Sequence, residues 1–158
     1  MIVYRIGPKQ YNNDSNCLSG LGGMVAEGRW HYAGAPIVYT ASTRSLGMLE
    51  RLVNDSQEIL KENLSVVLIQ IPDTLKVLRL VEGELPTGWN AYPYAADTQS
   101  LGSDFLMNGD SAVLQVPSSL CPQEYNFIIN PQHPDARKIK CIDCSDFVYP
   151  NRLANKLK

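Results

Sequence analysis

The chain predicts an α+β fold, a single domain on a split, mixed β-core with short helices, and three observations lead there. Many short β-branched or aromatic runs are each closed by proline or glycine. Only two or three stretches carry helical apolar spacing, and neither a regular βαβ alternation nor an internal repeat is present. At 158 residues the chain suits one domain, spanning 1–158, that buries roughly two-thirds of the surface of its unfolded form.

Ile2 to Ile6 read as an opening strand ended by Gly7-Pro8, and the polar, glycine-rich residues 11–23 read as a loop whose glycines serve turns. Pro36-Ile37-Val38-Tyr39-Thr40 is a second strand. It runs into a helix capped by Ser42 or Thr43 and carrying Leu46, Leu49, Leu52, Val53, Ile59 and Leu60 on its apolar stripe. Leu64 to Ile71 form the plainest strand, stopped by Pro72, and Lys76 to Leu80 form another before a turn over Gly83–Gly88. Trp89 to Tyr94 make an aromatic loop, and Thr98 to Asn108 a short helix burying Leu101, Phe105 and Leu106. Ala112 to Val116 and Tyr125 to Ile129 are strands, Ile139 to Ile142 and Asp146 to Tyr149 supply the last strand material, and the basic end frays from about 150.

A net charge of −2 gives no bulk attraction to nucleic acid or anionic lipid, and no basic groove surrounds the aromatic clusters at 30–32 and 92–94. The start, MIVYRIGPK, lacks the apolar core of a signal peptide and no run approaches membrane-spanning length, so a cytoplasmic location is expected. The cysteines, Cys17, Cys121, Cys141 and Cys144, then read mainly as reduced thiols. Cys141 and Cys144 form a CxxC, but in a strand-like context and without two further ligands for zinc.

Glu50 sits at the edge of its helix stripe, where a carboxylate either reaches water, pairs with Arg51 or Arg44, or meets a ligand. Arg29, in GRWHYAG, either pairs with Glu27 or Asp14 or grips a phosphate or carboxylate, and Arg5 is a second candidate anion contact. Tyr39 is either strand packing or a ring for a flat ligand. His31 and His133, the only histidines, lie in turn-like sequence and form no HxxxH pattern, so no metal site is expected. Ser118 follows proline without a GxSxG elbow or an evident base. Asp73, Asp104, Asp110 and Asp135 fall at turns, where capping explains them.

The segment GGMVAEGRWHYAGAPIVYTASTRSLGMLE closely resembles the opening motif of the RES domain family, the toxins of many bacterial type II toxin–antitoxin modules. The resemblance continues through Tyr4-Arg5, WNAYPY at 89–94, SLGSDFL at 100–106, residues 112–135 and Asp146-Phe147, covering nearly the whole chain. The arginine, glutamate and serine of the family name match Arg29, Glu50 and Ser118, and its pocket tyrosine matches Tyr39. One departure is His31-Tyr32, where the family more often has an asparagine after the tryptophan.

The resemblance implies an ADP-ribosyltransferase-like fold with NAD as substrate between the halves of the core. It implies cleavage of the nicotinamide–ribose bond with water or phosphate as acceptor, and no cofactor beyond NAD. Glu50 would stabilise the ribose cation, Arg29 with Arg5 would hold the pyrophosphate or carboxamide end, Tyr39 would stack, and Ser118 would hydrogen-bond to Glu50 or to the substrate. Alternatives are ADP-ribosylation of a host protein and a non-catalytic antitoxin-binding domain. The implied partner is an antitoxin with a DNA-binding domain covering the active site, and a homodimer is left open.

Overall fold

A computed structural model describes residues 1–54 and 63–154. Seven strands form one mixed sheet: β1 (Ile2–Pro8), β2 (Val38–Ala41), β3 (Leu64–Gln70), β4 (Val77–Arg79), β5 (Val113–Pro117), β6 (Tyr125–Ile129) and β7 (Lys140–Phe147). They lie in the order β4-β5-β6-β2-β1-β3-β7, antiparallel except for the parallel β4–β5 pair. The helices are α1 (Gly22–Val25), α2 (Arg44–Asn54), α3 (Ala96–Asn108) and α4 (Asn151–Ala154). Among the described residues no helix is long and apolar enough to cross a membrane.

The expected division of the core is present as a seam. β1 pairs with β3 over its whole length, but with β2 only through Tyr4 and Ala41. Two halves, β4-β5-β6-β2 and β1-β3-β7, therefore meet through a single residue pair, and beyond it the strands part. β1 also runs through Gly7 and Pro8 instead of ending before them. Lys9 donates to the Asn63 carbonyl, so Pro8 falls at a position whose missing N–H faces the open seam and not β3.

Period-two alternation sorts the apolar residues onto two faces. Val3, Val38, Val67, Ile69, Val113, Phe127 and Ile129 join one core. Ile128, Leu114 and Val116 join the opposite one with Trp30, Trp89 and Phe105, and Tyr39 packs at its edge. On α2 the stripe ends earlier than its spacing predicts: Leu46 and Gly47 are buried but Val53 is 57 % exposed. Thr43 caps α2, its Oγ1 accepting from the Leu46 N–H at 3.1 Å. Ile59 and Leu60 lie outside the described residues, as do residues 155–158 of the basic end; residues 151–154 form α4.

The last strand material is one strand, β7, which bulges where Leu68 opposes Asp143 but Ile69 opposes Cys141. Three residues apart on a regular strand, Cys141 and Cys144 would face opposite ways. The extra residue, Ile142, turns both against the same core. All four thiols are free, and burial, aided by Asp14, pushes the Cys141 thiol up to about 12. A protonated thiol is a poor nucleophile and a poor metal ligand.

Candidate active site

The site forms where the halves part. A cavity of about 390 Å³ is lined by Arg5, Tyr39, Glu50, Arg51, Tyr94 and Asn126, among others. A second, of about 270 Å³, is lined by Arg29, Glu50, Tyr92, Tyr94, Ser119 and Asn126. Glu50, Tyr94, Asn54 and Asn126 border both, so the carboxylate stands at the junction of a two-lobed cleft.

Glu50 pairs with neither Arg51 nor Arg44. Ser118 Oγ donates to its Oε1 at 3.0 Å and Asn126 Nδ2 donates to the same oxygen at 2.6 Å. Ser118 Oγ also accepts the N–H groups of Leu120 and Cys121, each at 3.1 Å. With its acceptor side filled, the single hydroxyl proton goes to Glu50, which makes Ser118 a support for the carboxylate and not a nucleophile. Both donors hold Oε1, and Oε2 has no donor among the described residues. The serine is presented by the turn after β5, which is closed by its own N–H donating to the Glu124 carbonyl at 2.9 Å.

Arg29 pairs with neither Glu27 nor Asp14. Its Nη1 donates to the main-chain carbonyls of Trp89 at 2.7 Å and Ala91 at 2.9 Å, and its guanidinium lies 5.3 Å from the centre of the Tyr94 ring. One arm of the side chain thus pins the aromatic loop that roofs the smaller lobe. Partial burial lowers its pKa, with Tyr94 and Glu50 opposing that shift. Arg5 borders the larger lobe instead and donates to the Cys17 carbonyl at 3.1 Å. Tyr39 lies in the same lobe, and burial raises its phenol well above the ordinary value. The structure therefore gathers Arg5, Tyr39, Glu50 and Ser118 about one lobe and its border, and sets Arg29 across Glu50 from Arg5.

Sequence reasoning missed Asn126 and Gln99, and gave His31 no role beyond its turn. Asn126 left a signal, an amide inside the apolar run YNFII where strand packing has no use for one. His31 is 2 % exposed, with Nδ1 2.9 Å from the Tyr39 hydroxyl. Gln99 of α3 donates to the carbonyls of Gly28 at 3.2 Å and His31 at 3.4 Å, and nothing local in its helix announces that contact. The buried face of α3 is Thr98, Gln99, Gly102 and Phe105, while Leu101 and Leu106 are only half-buried. Gly102 is required there, because α3 lies directly on the main chain of Trp30.

A family model described as RES domain matches residues 2–150. The chain belongs to the RES domain family. A relative from Sphingobium sp. named Prs ADP-ribosylating toxin is 38 % identical over 157 residues, covering 97 % of this chain and 96 % of its own. A relative from Pseudomonas putida named Toxin Res is 38 % identical over 138 residues, covering 86 % and 92 %. Among solved structures, the crystal structure of the M. tuberculosis MbcT-MbcA toxin-antitoxin complex matches with a TM-score of 0.75 at 18 % identity, covering 99 % of this chain and 87 % of the other. That likeness places the α+β RES fold described above among known architectures.

Proposed function

We propose that this RES domain protein is a toxin that degrades NAD by breaking the nicotinamide–ribose bond, with water or phosphate as acceptor. The observation that carries the reading is the placement of Glu50 at the junction of two lobes with Ser118 and Asn126 both donating to Oε1. Departure of nicotinamide leaves an oxocarbenium-like ribose, and the bonding pair neutralises the ring nitrogen, so no acid is needed for the leaving group. The transition state needs a negative group beside the sugar, held in advance in a shielded cleft. Oε2 is available for this, and for a ribose hydroxyl. The acceptor oxygen then bonds to the anomeric carbon, and water used as acceptor gives up one proton to the solvent.

In this reading Arg5 supplies positive charge to the pyrophosphate in the larger lobe, Tyr39 offers its ring, and Arg29 holds the loop that closes the smaller lobe. NAD is the substrate, and the reaction requires no resident cofactor. The pure protein incubated with NAD, with and without phosphate, is expected to release nicotinamide together with ADP-ribose or its 1″-phosphate. No loss of NAD under either condition overturns the reading.

A second reading, transfer of ADP-ribose to a protein, is favoured by the name of the Sphingobium relative, an ADP-ribosylating toxin. It predicts label from NAD on a lysate protein, and its absence leaves hydrolysis or phosphorolysis. The solved neighbour is a toxin–antitoxin complex, and an antitoxin that covers this cleft is the partner we propose.

A further inference from the structure

We infer that His31 is a positioning residue for Tyr39, and that it takes up the tyrosine's hydroxyl proton so that Tyr39 donates no hydrogen bond to a ligand and serves the cleft through its ring. The inference rests on the NAD reading of the cleft for its substrate and on hydrogen-bond geometry for everything else.

The Tyr39 oxygen lies 3.2 Å from the Trp30 main-chain nitrogen, which donates to it, and 2.9 Å from His31 Nδ1. Whether the phenol proton points to the ligand or to His31 depends on which imidazole nitrogen carries hydrogen. The Gly23 and Ala26 backbones favour a proton on the ring, and Nε2 is buried without a hydrogen-bond partner. The Gly23 main chain packs beside Nε2, where a Cβ on Gly23 would lie 2.9 Å from it, and on that side we place the hydrogen of the neutral ring. Nδ1 is then an acceptor, and among the described residues the Tyr39 hydroxyl is the neighbour that supplies it a proton. That hydroxyl accepts from Trp30 and donates to His31, and no proton remains for a ligand.

The tether also explains why a buried imidazole occurs in an otherwise turn-like stretch. His31 is 2 % exposed, packed 5.6 Å centre to centre against Tyr39, and its main chain is held by Gln99 and by the paired Gly28 turn. Its burial lowers its pKa below the ordinary histidine value, which suits a neutral acceptor. The ring of Tyr39 is fixed at the wall of the larger lobe, which His31 also borders.

Two measurements test this. Long-range proton–nitrogen correlation on protein labelled with ¹⁵N-histidine, which has only two histidines to assign, is expected to show His31 protonated on Nε2 with Nδ1 as acceptor, and Tyr39→Phe is expected to move the Nδ1 signal. Protonation of Nδ1 overturns the inference, whether or not the protein consumes NAD. In NAD turnover, His31→Leu, which loses the one hydrogen bond between the two side chains, is expected to raise KM about five- to tenfold, and Tyr39→Phe, which also loses the bond from Trp30, at least as much, each with kcat nearly kept. The double variant is expected to be no worse than Tyr39→Phe alone. His31→Asn, which places an acceptor near the Nδ1 position, is expected to restore KM. Additive losses, or a Tyr39→Phe defect concentrated in kcat, would show that the hydroxyl meets the substrate. If the wild-type protein consumes no NAD, the proposed function fails, and the nitrogen signals still decide the role of His31.

Discussion

A methyl group added at Gly102 would lie 1.9 Å from the main-chain oxygen of Trp30 and 2.7 Å from its carbonyl carbon. Ordinary contact begins near 3.4 Å, so Gly102→Ala requires α3 and the Arg29–Trp30–His31 turn to separate by about 1.5 Å. No rotamer relieves the clash, because both partners are main chain. Separation would stretch the Gln99 bonds to Gly28 and His31, the Ser103 bond to the Tyr32 N–H at 3.3 Å, and the Tyr32 hydroxyl bond to Ala96 at 2.9 Å. Overpacking costs roughly 1–3 kcal/mol and each lost hydrogen bond about 1 kcal/mol, against about 1 kcal/mol of helix propensity gained by replacing glycine. A net loss of about 2–4 kcal/mol follows, which for a chain of this length lowers Tm by about 5–12 °C. Gly47→Ala in α2 is the control. Its methyl would meet Ala41 Cβ at 3.6 Å, an ordinary contact, so it is expected to be neutral or stabilising by up to about 1 kcal/mol. Thermal unfolding followed by far-UV dichroism measures both. A Gly102→Ala protein as stable as wild type would refute the argument that α3 rests on the Trp30 main chain.

Glu50→Gln keeps the shape and removes the charge, and is expected to lower NAD turnover by at least about 100-fold in a nicotinamide-release assay, with Tm little changed. Ser118→Ala and Asn126→Leu each remove one donor from Oε1 and are expected to reduce kcat by about tenfold or more, reflecting the 1.5–3 kcal/mol of a bond to a charged group. Asn126→Leu is the informative one, since a decorative amide would leave kcat intact. Arg29→Lys shortens the side chain whose Nη1 holds the Trp89 and Ala91 carbonyls and removes the planar group over the Tyr94 ring, and limited proteolysis is expected to cut the 89–94 loop faster than in wild type. Burial depresses the His31 pKa in the folded state. Below about pH 6.5 the unfolded chain takes up a proton the folded one refuses, so this contribution to stability is lost as pH falls from there towards the folded pKa. Urea titrations of wild type and His31→Asn should diverge in that window and run parallel above it.

Sequence by itself determined the α+β class, the strand order along the chain and the pairing of a strand with a helix that delivers Tyr39 and Glu50 close together, because these rest on local propensity and periodicity. Resemblance of the motifs further connected Glu50 to Ser118 across the chain. Only the tertiary structure decided what each polar group does. Arg29 looked like an anion grip and one of its arms holds a loop. Glu50 looked ready to pair with Arg51 or Arg44, and it is held by Ser118 and by an asparagine hidden in an apolar strand. His31 looked like part of a turn and hydrogen-bonds to Tyr39 at the wall of the cleft. Spacing along a chain states which face a residue occupies, whereas hydrogen-bond partners from distant segments depend on how strands separate at the β1–β2 seam and how α3 meets the Trp30 main chain. Those contacts are non-local, and no window of sequence contains both partners.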